Sequence, residues 1–187
     1  MTINSKEAIL AAARRTAQAH GYGGLNFRDL AAEVGIKAAS IYHHFPSKAD
    51  LGAAVARRYW EDTAAALEAL SKEAEAPLVA LRRYPETFRK ALTTDNRICL
   101  ASFMAAEYDD LPDAVKTEVR TFTDINVSWL SQALSAAGIE SVEQAEPRAR
   151  AIFAAIAGAQ LMARGRSDVT QYDALIDSYR TIGLLPA

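Results

Sequence analysis

Phe27-Arg28-Asp29-Leu30-Ala31-Ala32-Glu33-Val34-Gly35-Ile36-Lys37-Ala38-Ala39-Ser40-Ile41-Tyr42 is the stretch that decides how this chain folds. Asn26 precedes a short helix as a residue able to accept the unpaired N–H groups of a first turn, and Asp29 adds favourable charge there. Leu30, Ala31 and Val34 form the inner side of that helix. Gly35 stands where the chain must go left-handed to turn sharply, and Ala31 is small enough for a second helix to cross closely. Ile36 and Ile41 supply the complementary inner side of a next helix, running from about Lys37 to His44, which Phe45-Pro46 ends. Lys37, Ala38, Ser40, Tyr42 and His43 are then left facing outward. A helix lying in a DNA major groove needs such a face: short polar or methyl-bearing groups reach base edges, and longer ones take phosphates.

Working outward from this pair, Asn4 with Glu7 marks an earlier helix start, and Ile9, Ala13 and Ala17 give that helix an inner stripe before Gly21-Tyr22-Gly23-Gly24 stops it. Downstream, Ser47 with Asp50 opens a fourth helix that meets no breaker until Pro77, so it runs from about 48 to 71. Pro77, Pro85, Asp95, Pro112, Gly138 and Pro147 mark out further helices at about 77–92, 96–108, 112–137 and 145–164, with a last one near 169–182. No sustained period-2 alternation and no Asn-Gly or Asp-Gly hairpin signal occurs. The expected fold is all-α with about nine helices. A three-helix, helix-turn-helix DNA-binding domain occupies 1–47, and a helical ligand-sensing and dimerisation domain occupies 48–187.

Charge supports the same division. The net charge of −2 over 187 residues is unpromising for a nucleic-acid binder until it is located. Residues 1–58 hold eight basic side chains (Lys6, Arg14, Arg15, Arg28, Lys37, Lys48, Arg57, Arg58) against four acids (Glu7, Asp29, Glu33, Asp50), whereas the remainder holds thirteen against nineteen. A basic head on an acidic body turns the head toward phosphate. Half the residues are hydrophobic and 24% are charged, a globular balance. No apolar run approaches the roughly 20 residues of a membrane span, and no signal-peptide pattern opens the chain, so a cytoplasmic location without a membrane partner is expected. The single cysteine, Cys99, excludes an intrachain disulfide and a thiolate zinc cage, and no cofactor is expected.

Ala31 to Gly35, leading into Ile41-Tyr42-His43-His44-Phe45-Pro46-Ser47-Lys48 and Leu51, resembles the signature of the TetR/AcrR family of transcriptional regulators. The resemblance extends over about residues 5–52, including Ile9-Leu10, Gly21-Tyr22 and Arg28-Asp29-Leu30-Ala31. It implies that Tyr42 and Lys48 bind phosphates and that Lys37, Ala38, Ser40 and His43 face bases or backbone. It also implies a repressor that binds a palindromic operator in double-stranded DNA as a homodimer and is released by a small-molecule inducer. The sequence departs from the family pattern at Lys37, where a small hydroxyl residue is common, at Ala39, where glycine is, and at Ala17, where a large aromatic is. Independently of the resemblance, Lys48 falls in the first turn of its helix, where an anion meets both an ammonium and unpaired N–H groups, and Asn26 and Arg28 stand at the start of theirs.

A two-helix reader contacts too few base pairs alone, so a symmetric pair is the physical expectation. Ala151, Ile152, Ala155, Ile156, Gly158, Ala159 and Met162 on one late helix, with Leu175, Ile176, Tyr179 and Ile182 on the last, form small apolar faces suited to a four-helix bundle between copies; an intramolecular core explains the same stripes. For the inducer, Trp60, Tyr84, Phe88, Cys99, Phe103, Glu107, Phe122, Asn126 and Trp129 interleave aromatic bulk with isolated polar groups, as a ligand cavity requires. Arg97 near Cys99 and a helix start there favour thiolate, so an electrophile- or oxidant-sensing repressor is an alternative. A helical interaction module that binds no DNA is another. Enzymatic function is not expected: the three histidines lie at or beside the head, and no nucleophile-base pair or phosphate loop can be assembled. Asp109, Asp110 and Asp113 read as charges complementing a helix start.

Overall fold

The computed structural model describes residues 5–187, and the helix start expected at Asn4 lies outside them. Among the described residues there are nine α-helices and no strand: α1 (Ser5–His20), α2 (Phe27–Val34), α3 (Ala38–His44), α4 (Lys48–Glu73), α5 (Pro77–Thr93), α6 (Leu100–Ala106), α7 (Asp113–Ala136), α8 (Val142–Arg166) and α9 (Val169–Thr181). A single 3-10 turn, Tyr108–Asp110, follows α6. Among the described residues no helix is long and apolar enough to cross a membrane. The helices form two compact units, one comprising the chain up to Glu61 with Leu100–Phe122, the other Asp62–Cys99 with Thr123–Ala187. Helices α4 and α7 each contribute to both.

In the first unit α1 packs on α2, α3 and α6. Ile9, Ala13 and Ala17 of α1, Leu30 and Ala31 of α2, Ile41 of α3 and Phe45 are buried. Side chains of leucine size contribute about 1.5–3 kcal/mol each on leaving water, and this burial stabilises helices too short to persist alone. Asn26 caps α2 as expected, its Oδ1 accepting from Arg28 N at 2.8 Å and Asp29 N at 3.4 Å. Gly35 closes the helix at φ 75° and ψ 32°, and the Ile36 N–H reaches back to Ala31 O at 2.9 Å. The third helix begins one residue later than expected: Lys37 is the extended residue before it and makes no side-chain cap. Ser47 Oγ accepts from Asp50 N at 3.1 Å and donates to Asp50 Oδ2 at 2.6 Å, closing the start of α4.

In the second unit α8 packs on α5 and α9. Its inner side is built of Ala145, Ala149, Ile152, Ile156, Ala159 and Ala163, small enough to let the helices approach. Three polar groups inside this unit are satisfied. Gln160 accepts from Cys99 N at 2.8 Å and donates to Phe88 O at 2.7 Å. Tyr84 donates to Asn126 Oδ1 at 2.8 Å, and Tyr172 to Pro85 O at 2.7 Å. Burial pushes the Tyr84 and Tyr172 phenols well above their ordinary range, so both stay neutral donors.

Two expected boundaries are corrected. Helix α8 begins at Val142 rather than near 145, so that Pro147 lies inside it, while Pro85 lies inside α5 as the expected 77–92 span has it. Pro85 is buried, and tertiary packing outweighs the cost of its missing N–H. The helix expected over 96–108 is only α6, because Asp95 and Asn96 both take left-handed conformations, φ 57° and 52°. Asn and Asp tolerate that region, and Asn96 Nδ2 compensates by donating to Arg164 O at 3.1 Å and Ser167 Oγ at 3.0 Å.

Candidate nucleic-acid interface

Helix α3 turns its inner residue, Ile41, fully into the core and leaves Lys37, Tyr42 and His43 exposed, with Ala38 and Ser40 half-buried beside them. Tyr42 is 57% exposed, yet its ring is held: the Phe27 ring meets it edge-on, centroids 4.7 Å apart. That contact aims the phenol without engaging its hydroxyl. Arg28 and Lys37 form no ion pair among the described residues, whereas Arg15 is paired with Glu33 at 2.6 Å and Arg58 with Glu7 at 3.0 Å. Two of the head's cations are thus neutralised locally while those flanking the outward side of α3 keep their charge for another partner.

Lys48 is more constrained than its sequence position implies. It begins α4, but Nζ donates to Gly23 O at 3.0 Å and lies 4.7 Å from the centre of the Tyr22 ring. Asn26 commits its oxygen to the start of α2. The same α1–α2 turn receives Glu107, whose two oxygens accept from Tyr22 N at 2.6 Å and Gly23 N at 3.0 Å. Gly52 of α4 lets the Tyr22 ring in close: a Cβ there would lie 2.7 Å from Tyr22 Cε2. Lower in this unit Glu118 accepts from Arg57 Nε at 3.1 Å and Trp60 Nε1 at 2.7 Å. Burial alone would raise its carboxyl; the hydrogen bonds from Arg57 and Trp60, with the Arg57 charge, hold it below the usual glutamate range.

Residues 9–55, which contain α2, α3, the Tyr22–Gly23 turn and Lys48, match the profile of "Bacterial regulatory proteins, tetR family". The head of the chain is that of the TetR/AcrR family. A TetR transcriptional regulator from Legionella pneumophila has the same fold with a TM-score of 0.90 at 29% identity, covering 97% of this chain and 99% of that one. A TetR-family regulator from Agrobacterium tumefaciens superposes with a TM-score of 0.87 at 28% identity, covering 95% and 96%. The repressor AcnR of Corynebacterium efficiens is 40% identical over 70 residues, which is 37% of this chain and 36% of that protein. The chain therefore spans little more than a third of that curated relative.

The chain distributes the nine candidate ligand residues between its two units. Trp60, Phe103, Glu107 and Phe122 belong to the first, and Tyr84, Phe88, Cys99, Asn126 and Trp129 to the second. In the first, Glu107 and Trp60 are engaged as described, and Phe122 stacks on Tyr59 at 5.2 Å. In the second, Tyr84 stacks on Trp129 at 5.4 Å and meets Phe88 edge-on at 5.7 Å, with Asn126 on its hydroxyl. Beside Trp129 a cleft of about 290 Å³ opens, lined by Ser71, Ala74, Pro77, Ala80, Gln132 and Ala133. Cys99 is 1% exposed, and the Arg97 guanidinium meets Asp95 at 3.3 Å. A thiol so covered meets an electrophile only when the core opens.

The stripe expected to pair two copies of the chain divides into two sides of α8. Ile152, Ile156 and Ala159 are buried within the unit; Ala151, Gly158 and Met162 face outward, with Ala155 half-buried. Sequence reasoning missed Leu161, 61% exposed beside Met162; of the expected face on the last helix, Ile182 is 73% exposed, Leu175 and Tyr179 are half-buried and Ile176 is buried. The spacing Gly158, Leu161, Met162, Gly165 carries the outward signal. Glu118 was also missed, and the Tyr22–Gly23 turn, legible as the end of α1, gave no sign of its contacts with Glu107 and Lys48.

Proposed function

We propose that this chain is a ligand-responsive transcriptional repressor that binds palindromic operator DNA as a homodimer and lets go when a small molecule occupies its helical body. The observation that carries the reading is the outward side of α3, where Lys37, Tyr42 and His43 stand exposed over a buried Ile41. Lys37, Ala38, Ser40 and His43 address bases or backbone, and Tyr42, Lys48, Asn26 and Arg28 address phosphates. Lys48 holds Gly23 O with one N–H of its ammonium and has two further N–H groups for a phosphate. Residues 1–47 act as the reader and 48–187 as the sensing and pairing body, in the cytoplasm.

The outward side of α8, with Leu161 and Met162, supports pairing, since water-exposed leucine and methionine beside glycines gain by burial against a second copy. The inducer site is assigned to the second unit around Tyr84, Asn126 and Trp129, where the neighbouring cleft sits near the lower end of the roughly 300–1,000 Å³ that ligands occupy. Ligand and operator then oppose each other reciprocally, with the continuous α4 as transmitter. The test is selection from a random-sequence duplex pool by the full chain. The expected product is a palindrome whose half-sites are about one helical turn, roughly 34–36 Å, apart or a multiple of it. Enrichment of no duplex, or of single unpaired half-sites, overturns the reading.

A further inference from the structure

The α1–α2 turn is held at a single residue, Gly23, from two directions. Its carbonyl takes Lys48 Nζ at 3.0 Å, and its N–H, with that of Tyr22, is taken by the carboxylate of Glu107, at 3.0 and 2.6 Å. Glu107 comes from 84 residues further along, where α6 unwinds into the 3-10 turn Tyr108–Asp110. Two consecutive N–H groups converging on one carboxylate make a charge-assisted pair, stronger than a neutral hydrogen bond and rigid in direction. The fit leaves no slack: a Cβ added at Gly21, itself at φ 69°, would run into the Glu107 carboxylate. On the other side Tyr22 is wedged between the Lys48 ammonium and the backbone of Gly52.

From this arrangement we infer that Glu107 is a positioning residue for DNA binding: it fixes the Tyr22–Gly23 turn, and through Gly23 it sets where Lys48 stands at the start of α4. The end of α6 is therefore a handle on the phosphate-binding corner of the head. A displacement of Glu107 frees two N–H groups, loosens the turn and unseats Lys48 together with Tyr22. The inference rests on the DNA-binding reading above and adds a residue that touches no nucleic acid.

The experiment is a double-mutant cycle on the full chain with Glu107→Ala, Lys48→Ala and the pair, read by affinity for the duplex that the wild type selects from a random-sequence pool. Amide exchange is measured in parallel. Glu107→Ala is expected to weaken binding about tenfold, the scale of a lost charged hydrogen bond. The slope of log affinity against log salt falls by no more than about 0.9, the share of the single phosphate contact that Lys48 makes. In the Lys48→Ala background the same change costs little, because its effect passes through Lys48. Exchange accelerates at Tyr22 and Gly23 and not at the core amides of α1, and Glu107→Gln, retaining one acceptor oxygen, recovers part of the affinity. Additive losses in the cycle overturn the inference, as does unchanged affinity despite faster exchange at Tyr22 and Gly23, or acceleration spread evenly over the core. Wild-type protein that selects no duplex removes the DNA-binding reading itself, and this inference with it.

Discussion

Replacing Gly35 by alanine isolates the turn on which the reading helix depends. Gly35 sits at φ 75° and ψ 32°, and no atom lies within 4 Å of the position an added Cβ would take. Alanine therefore meets no clash and loses no contact, and the whole cost is conformational. Holding a non-glycine residue left-handed costs about 1–2 kcal/mol. At the scale of a 150–250-residue protein, each kcal/mol lowers the midpoint of thermal unfolding by about 2–4 °C. Asparagine tolerates this region better, so Gly35→Asn is expected to fall between wild type and alanine. Thermal and urea unfolding, followed by circular dichroism, measure both variants. An alanine variant as stable as wild type, or an asparagine variant no better than alanine, refutes the argument that backbone conformation alone selects glycine here.

Tyr42→Phe keeps the ring against Phe27 and removes only the outward hydroxyl, so duplex affinity falls by about 1 kcal/mol, or severalfold, across sequences, while thermal stability holds; fluorescence anisotropy checks the first and calorimetry the second. Glu118 is depressed below its unfolded value, so its stabilisation is complete above about pH 4.3 and is lost as pH falls through the lower folded value; the stability gap between wild type and Glu118→Gln narrows across that acid window in urea titrations. Leu161→Glu places a charge on the outward side of α8, leaving helicity intact and converting a dimer into a monomer by sedimentation; an unchanged mass assigns the pairing surface elsewhere.

The head is legible in the sequence because its signals are local. Asn26, Gly35, Phe45-Pro46 and Ser47 each act within a turn of their own position, and Leu30, Ala31 and Ile41 are buried as their spacing implies. Legibility fades where distant packing overrules local preference. Pro85 removes a helix N–H, yet its burial carries α5 through it. Asp95 and Asn96 shorten α6 through left-handed conformations, the second secured by Arg164 and Ser167 at the C-terminal end of α8. The α8 stripe misleads for another reason: alanine and glycine fit a crowded inner side and an outward one equally, so composition cannot separate Ile152 and Ala159 from Gly158 and Met162. Glu107 reads as a polar group in an aromatic-rich stretch, suited to a cavity, and its role emerges only when Tyr22 and Gly23 are seen against it.

The most direct measurement compares hydroxyl-radical oxidation of two tyrosines with and without the selected duplex. Tyr42 and Tyr108 are 57% and 52% exposed, so they oxidise at comparable rates in free protein, and only Tyr42 lies on α3. If α3 is laid against DNA, Tyr42 and His43 become protected on adding duplex while Tyr108 keeps its rate. Equal oxidation of Tyr42 with and without bound duplex would contradict the assignment of α3 as the reading helix.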